Sequence, residues 1–168
     1  PKDNMFVGFE GVGVVVDANA GLYGRWLKGK RVALSAQNGC DGLWAQYAVT
    51  RANFCLPVKN TISNEQAATL IVNPCTAVCL VERAKALGAG AIVINAAASQ
   101  VGKGVIKFAK RCGMKVIATV RSDTNRDVLK HSCADFVLNT RTSNYNEQLK
   151  KVCHELHATV LLDAVAAD

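Results

Sequence analysis

Apolar residues follow two different rhythms along this chain. Over the first sixty residues, short β-rich runs, "VGVVVD" (12–17), "RVALSA" (31–36) and "WAQYAVT" (44–50), alternate with glycine-containing stretches such as "ANAGLYG" and "QNGCDG". Runs of this length bounded by turn formers predict strands and loops. From Asn60 the period lengthens. The stretch "SNEQAATLIVNPCTAVCLVERAKAL" predicts a helix capped by Ser63, with Gln66 as the third residue of a capping box, kinked or divided at Pro74 and stopped at Gly88. Beyond it, predicted strands at 91–96, 115–120, 136–139 and 159–164 alternate with predicted helices at 101–112, 124–132 and 144–156. Strands joined through helices of that length require right-handed crossovers and therefore a parallel sheet. The expected fold class is α/β: a doubly wound parallel sheet of Rossmann type over residues 61–168, truncated at four strands, preceded by a β part over 1–60.

Composition narrows this picture. Of 168 residues, 50% are hydrophobic and 20% charged, which suits a globular chain and argues against disorder. No apolar run approaches the ~20 residues of a membrane span. The opening "PKDNMFVGFE" lacks the layout of a signal peptide, so a soluble, cytoplasmic chain is expected. A mitochondrial location stays open, because the sequence starts at Pro1 without an initiator Met. Seven cysteines, scattered, odd in number and without a CxxC pair, predict reduced core thiols rather than a disulfide framework. The net charge of +7 favours anionic partners. Lys and Arg are spread out with few aromatics among them, which points away from nucleic acid and toward a small phosphorylated ligand. Neither Cys55 nor "HELH" at 154–157 makes a convincing metal site, the latter because its histidines stand three apart rather than four. No metal is expected.

The stretch "INAAASQVGKGVIKFAK" (94–110) falls where a dinucleotide-binding chain carries its glycine-rich turn. With Gly102 as the third glycine, Ala97 stands at the first position and Ser99 at the second. Small residues meet the same physical need: a helix starting near Val101 would present free N–H groups and its positive end to a phosphate. A small-residue turn in some other α/β protein fits the spacing as well. At the end of the second strand, Arg121 and Ser122 follow "KVIATV" where an NAD site would have an acidic residue, which favours NADPH. Asp123 would take the acidic role only if that strand ran three residues further.

In order and spacing, "GFEGVGVVV", "KGKRV", "WAQYAV", "AATLIVNPCTA" and "AAASQVGKGVIKFAKRCGMKVIATVRS" resemble the medium-chain dehydrogenase/reductase superfamily. They are most similar to its zinc-independent quinone oxidoreductases and enoyl thioester reductases. The resemblance implies that residues 1–60 are the latter part of a GroES-like catalytic domain and 61–168 part of an NADP-binding domain. It implies that Asn73 and Thr76 lie beside the nicotinamide or its ribose, and that Ser99, Gln100, Val101 and Gly102 hold the pyrophosphate. Arg121 and Ser122 would take the 2′-phosphate, Asn139 the adenosine side, and Ala164 and Val165 the nicotinamide end. Ala166 departs from the glycine usual in such relatives, and Glu10 is read as structural. The implied activity is NADPH-dependent reduction of an activated C=C bond or a quinone, acting on a small-molecule substrate. The proton donor and the oligomeric state stay unassigned; similar proteins commonly dimerise through the edge of the cofactor-domain sheet, so the resemblance leaves a homodimer of the full-length protein open. The alternatives are a zinc-dependent alcohol dehydrogenase, a nucleotide-binding member without turnover, and a methyltransferase.

Overall fold

A computed structural model describes residues 6–165 except 38, 130 and 132. Ala166 lies outside the described residues, as do 130 and 132 of the helix expected at 124–132, which among the described residues ends at Val128. The chain divides into two compact units, Pro1–Val72 and Asn73–Asp168.

The first unit contains β1 (Glu10–Val14), α1 (Gly21–Leu27), β2 (Arg31–Ser35), a 3-10 turn (Ala52–Phe54), β3 (Cys55–Pro57) and α2 (Asn64–Ala67). The strands form an antiparallel sheet in the order β1-β2-β3. Leu27, Val32 and Ala33 are its buried apolar residues beside Ala67. The strand expected at 44–50 does not form. The Leu43 and Trp44 N–H groups donate to the Gly8 (3.0 Å) and Val7 (2.9 Å) carbonyls, but the pairing goes no further, and Trp44, Tyr47 and Val49 are largely exposed, so their β preference has little to pack against. In "ANAGLYG" the structure has α1 where a loop was expected. Its glycines are not breakers here: Gly24 is buried, and a Cβ on it would come within 2.7 Å of the Ala20 Cβ.

Residues 61–72 belong to this unit. The Arg31 guanidinium donates to Asn64 Oδ1 at 2.8 Å and to the carbonyls of Lys59 at 2.8 Å and Ile62 at 2.6 Å. The Ser63–Gln66 capping box forms with both reciprocal bonds. Glu10 is structural: its Oε2 accepts from the N–H groups of Ile71 (3.1 Å) and Val72 (2.8 Å), where the next helix begins. A carboxylate on the free N–H groups of a helix start satisfies orphan donors and suits the dipole.

That helix, α3 (Val72–Ala86), starts at the last residue of the first unit, and from Asn73 on it belongs to the second. The single helix expected over 63–87 is divided between Ala67 and Val72, so that Pro74 sits in the first turn of α3. There its missing N–H costs nothing, whereas a continuous helix would set its ring against the carbonyl of Leu70. Gly88, at φ +75°, ends α3 as expected. Then come β4 (Ala91–Ile94), α4 (Gln100–Arg111), β5 (Lys115–Val120), α5 (Asp123–Val128), β6 (Phe136–Asn139), α6 (Tyr145–Leu156) and β7 (Val160–Leu162). The four strands are parallel in the order β6-β5-β4-β7. All four residues of β4 are buried, as in a strand covered on both faces. On one face Ile92, Ile94, Val116 and Ala118 pack with Ala77 and Val81 of α3 and Val105 and Ile106 of α4. On the other, Val93, Ile117 and Leu138 pack with Val152 of α6. Helices on both faces make the sheet doubly wound, in agreement with the α/β reading.

Asp135 ties the amino end of this sheet together. Its carboxylate accepts from the Val116 N–H (2.9 Å), Lys110 (3.0 Å) and Lys115 (3.0 Å). Burial alone would push the carboxyl up, but those bonds outweigh it and hold it below the usual carboxylate value.

The cysteines depart from expectation. All seven are free thiols, but Cys40, Cys75, Cys79 and Cys133 are exposed and Cys55, Cys112 and Cys153 half-buried; of these Cys112 and Cys153 pack against the cores, and none is fully buried. Apolar neighbours in sequence do not fix which side of a helix or loop a residue faces. No helix among the described residues is long and apolar enough to cross a membrane.

Candidate functional site

In a parallel sheet every strand ends at the same edge, and ligands bind outside those carboxyl ends. Here the loops leaving β4, β5, β6 and β7 gather most of the residues singled out in the sequence.

The loop after β4 makes its sharp bend at Ala96, which adopts φ +44°. The bend falls one residue before Ala97, the position matched to the first glycine. Ala97 lies flat beneath the turn instead: it is fully buried, and its N–H donates to the carbonyl of Thr119 at 3.1 Å. Ser99 caps α4, its Oγ accepting from the Gly102 N–H (3.0 Å) and its carbonyl from the Lys103 N–H (2.9 Å). The Gln100 and Val101 N–H groups are left at the positive end of a twelve-residue helix, without intrahelical acceptors. Val101 packs its side chain against the core, and Gln100 is exposed. Gly102 meets the demand made of a third glycine: a Cβ there would lie 2.6 Å from the Ala97 Cα and carbonyl oxygen and 2.7 Å from the Ala96 oxygen. Helix and loop backbones can approach this closely only over a glycine.

Arg121 leaves β5 at the same edge. It is exposed, and among the described residues its guanidinium makes no hydrogen bond or ion pair. Ser122 caps α5 by accepting from the Asn125 N–H at 3.2 Å, so its hydroxyl hydrogen stays available to a ligand oxygen. β5 ends at Val120 and Asp123 is the first residue of α5, so the longer strand that would give Asp123 an acidic role at a ribose does not occur. Asp123 is instead engaged by Asn139, whose Nδ2 donates to its Oδ1 at 3.1 Å. Asn139, buried at the end of β6, also accepts from the Arg141 N–H at 3.0 Å. Both ends of its amide are used within the protein. Beneath this edge Tyr145 reaches Thr119, and burial pushes its phenol above the usual value.

Ala164 and Val165 follow β7 and are exposed. Asn73 and Thr76 stand apart from these loops, on the first turns of α3. Ala77 of the same helix meets Gly104 of α4, where a Cβ would come to 3.0 Å. That contact sets the start of α3 beside the opening turns of α4.

Two residues escaped the sequence reading. Asn95 follows β4, and its side chain donates to Asp163 Oδ1 (2.5 Å) and accepts from the Ala164 N–H (2.7 Å). The signal was present: "AIVIN" and "VLLD" each end an apolar strand on a polar residue, and the two strands are neighbours. Elsewhere, a cavity of about 610 Å³ in the first unit, lined by residues such as Val12, Leu34 and Leu43, contains none of the candidate residues. Cys55 beside it is half-buried, its thiol pushed up by burial. His154 and His157 are exposed at the end of α6. No group of three or more His, Cys, Asp or Glu among the described residues is disposed to hold a metal ion.

Comparison with known proteins agrees with this geometry. Residues 101–168 match a family model described as zinc-binding dehydrogenase. The mitochondrial enoyl-[acyl-carrier-protein] reductase of Rattus norvegicus is 36% identical over 143 residues, 82% of this chain and 38% of that enzyme. A crystal structure from Mesorhizobium loti, assigned as an NADPH:quinone reductase, superposes with a TM-score of 0.84 at 39% identity, over 95% of this chain and 46% of that one. A mycobacterial protein solved with NADPH shares the fold, with a TM-score of 0.73 at 22% identity over 89% of this chain and 47% of that one. The chain thus spans less than half the length of each of these relatives.

Proposed function

Because the chain belongs to the medium-chain dehydrogenase/reductase superfamily, we propose that it serves NADPH-dependent reduction of an activated carbon–carbon double bond, in an enone or enoyl thioester, or of a quinone. The observation that carries this reading is the turn from β4 into α4, closed over Gly102 with two N–H groups free at the helix start. Such a terminus attracts a phosphate through both its N–H donors and its dipole. The Gln100 and Val101 N–H groups and the Ser99 hydroxyl hold the pyrophosphate. Arg121 and the Ser122 hydroxyl take the 2′-phosphate, Arg121 being free to do so at the strand exit. Asn139 acts on the adenosine side through what it fixes, Asp123 and the Arg141 backbone. Ala164, Val165, Asn73 and Thr76 stand at the nicotinamide end. When bound, the reduced nicotinamide supplies the hydride, and the protein contributes binding and orientation.

The reading is tested by following NADPH oxidation by the whole protein against quinones, enones and enoyl thioesters. Turnover with one of these classes is expected. NADPH binding with no turnover on any of them would make the protein a nucleotide-binding member without this activity.

A further inference from the structure

Two asparagines brace the strand edge, one on each side. On one side Asn139, closing β6, bridges to Asp123 beyond β5. On the other Asn95, leaving β4, bridges to Asp163 beyond β7 at 2.5 Å, and its Oδ1 accepts from the Ala164 N–H at 2.7 Å. Asp163 Oδ1 also accepts from the Val165 N–H at 2.9 Å, which curls residues 163–165 into a turn. β7 lies at the end of the sheet and pairs with β4 over only three residues, Val160–Leu162. At Leu162 the backbone is still held to the neighbouring loop, the Asn95 N–H donating to the Leu162 carbonyl at 3.3 Å. Residues 163–165 are exposed, and the Asn95 amide, bonded to both Asp163 and the Ala164 N–H, ties that turn to the neighbouring loop. The next residue, Ala96, is the left-handed bend of the phosphate loop. Clasp and bend are therefore contiguous.

We propose that Asn95 is a positioning residue: it fixes the spacing between the phosphate loop and the 163–165 turn, and so the orientation of the nicotinamide half of the cofactor. The inference rests on the function proposed above. A displacement of about 1 Å in such a setting can cost on the order of a hundredfold in rate.

The test uses the whole protein and three variants. Asn95→Asp sets a second carboxylate against Asp163 and removes the donor. Asp163→Asn keeps an acceptor oxygen facing Asn95. The double exchange Asn95→Asp/Asp163→Asn reverses the bond: the new amide donates through its Nδ2 to a carboxylate that still accepts from the Ala164 N–H, and turns its Oδ1 to the Val165 N–H, which the Asp163 Oδ1 holds in wild type. Each protein is titrated with NADPH and with the nicotinamide-free analogue 2′-phospho-ADP-ribose. The fluorescence of bound NADPH reports the surroundings of the nicotinamide. Asn95→Asp should weaken NADPH by about tenfold or more and alter that fluorescence, while analogue affinity stays within about twofold. Asp163→Asn should resemble wild type, and the double exchange should recover most of the loss. Should Asn95→Asp fail to fold, Asn95→Ala, which cuts both bonds without adding charge, is expected to give the same split. Equal loss of NADPH and analogue, no loss, or no recovery in the double exchange overturns the inference while leaving the function intact. Wild-type protein that binds the analogue no better than NADH and ignores NADPH overturns both.

Discussion

Replacing Gly102 by alanine adds one methyl group at the point where α4 crosses the loop. The new Cβ would start 2.6 Å from the Ala97 Cα and carbonyl oxygen and 2.7 Å from the Ala96 oxygen. Ordinary carbon contacts begin near 3.5 Å, so helix and loop must part by roughly 1 Å. The atoms in the way are backbone, two of them from the fully buried Ala97, and backbone cannot rotate aside as a side chain would. Overpacking of this kind costs about 1–3 kcal/mol, against which the better helix preference of alanine returns about 1 kcal/mol. The net loss of stability is therefore small, at most about 2 kcal/mol. The effect on anion binding is larger. The Gln100 and Val101 N–H groups move with the helix, and a hydrogen bond to a charged group contributes about 1.5–3 kcal/mol. Losing one lowers NADPH affinity about tenfold to a hundredfold. Gly104→Ala is the matched control, because its Cβ would meet only the Ala77 side chain at 3.0 Å. Thermal unfolding and NADPH titration of both variants decide the matter. If Gly102→Ala binds NADPH within about twofold of wild type, close packing at this turn does not govern phosphate binding and the reasoning fails.

Other substitutions separate the remaining claims. Arg121→Ser should weaken NADPH by about tenfold or more and leave NADH nearly unchanged, as measured by paired titrations. Asp135 is held below the usual carboxylate value, so its stabilisation is complete above about pH 3.9 and is lost as pH falls through the depressed folded-state value. Denaturation midpoints measured against pH should fall in that acid range for wild type and fall less for Asp135→Asn, which is also less stable by about 1–3 kcal/mol at neutral pH. Glu10→Ala should cost about 1 kcal/mol in chemical denaturation by uncapping the start of α3, with NADPH affinity unchanged.

The second half of the chain was legible because its buried strands and crossover helices carry their own period. β4, β5 and β6 begin where the apolar runs begin, and Ser63, Pro74 and Gly88 act as their chemistry requires. The first half was less so. "WAQYAVT" has strand composition, but whether it pairs depends on a partner that local sequence does not specify. α1 was hidden by Gly21 and Gly24, residues that weaken a helix in isolation; here Gly21 starts the helix at φ +62° and Gly24 allows close packing against Ala20. At the candidate site, spacing located the turn from β4 into α4 and the β5 exit, but placed the bend at Ala97 instead of Ala96. The reason lies outside the turn: the Ala97 N–H is drawn to the Thr119 carbonyl on the neighbouring strand, which forces the reversal one residue earlier. Asn95 and Asp163 lie 68 positions apart, and only the adjacency of β4 and β7 brings them together.

The account depends on an anion held at the start of α4 and a second phosphate held by Arg121. Direct titration of the whole protein with NADPH and NADH tests both at once. The prediction is saturable NADPH binding at least about tenfold tighter than NADH. Equal affinity, or a preference for NADH, would contradict it.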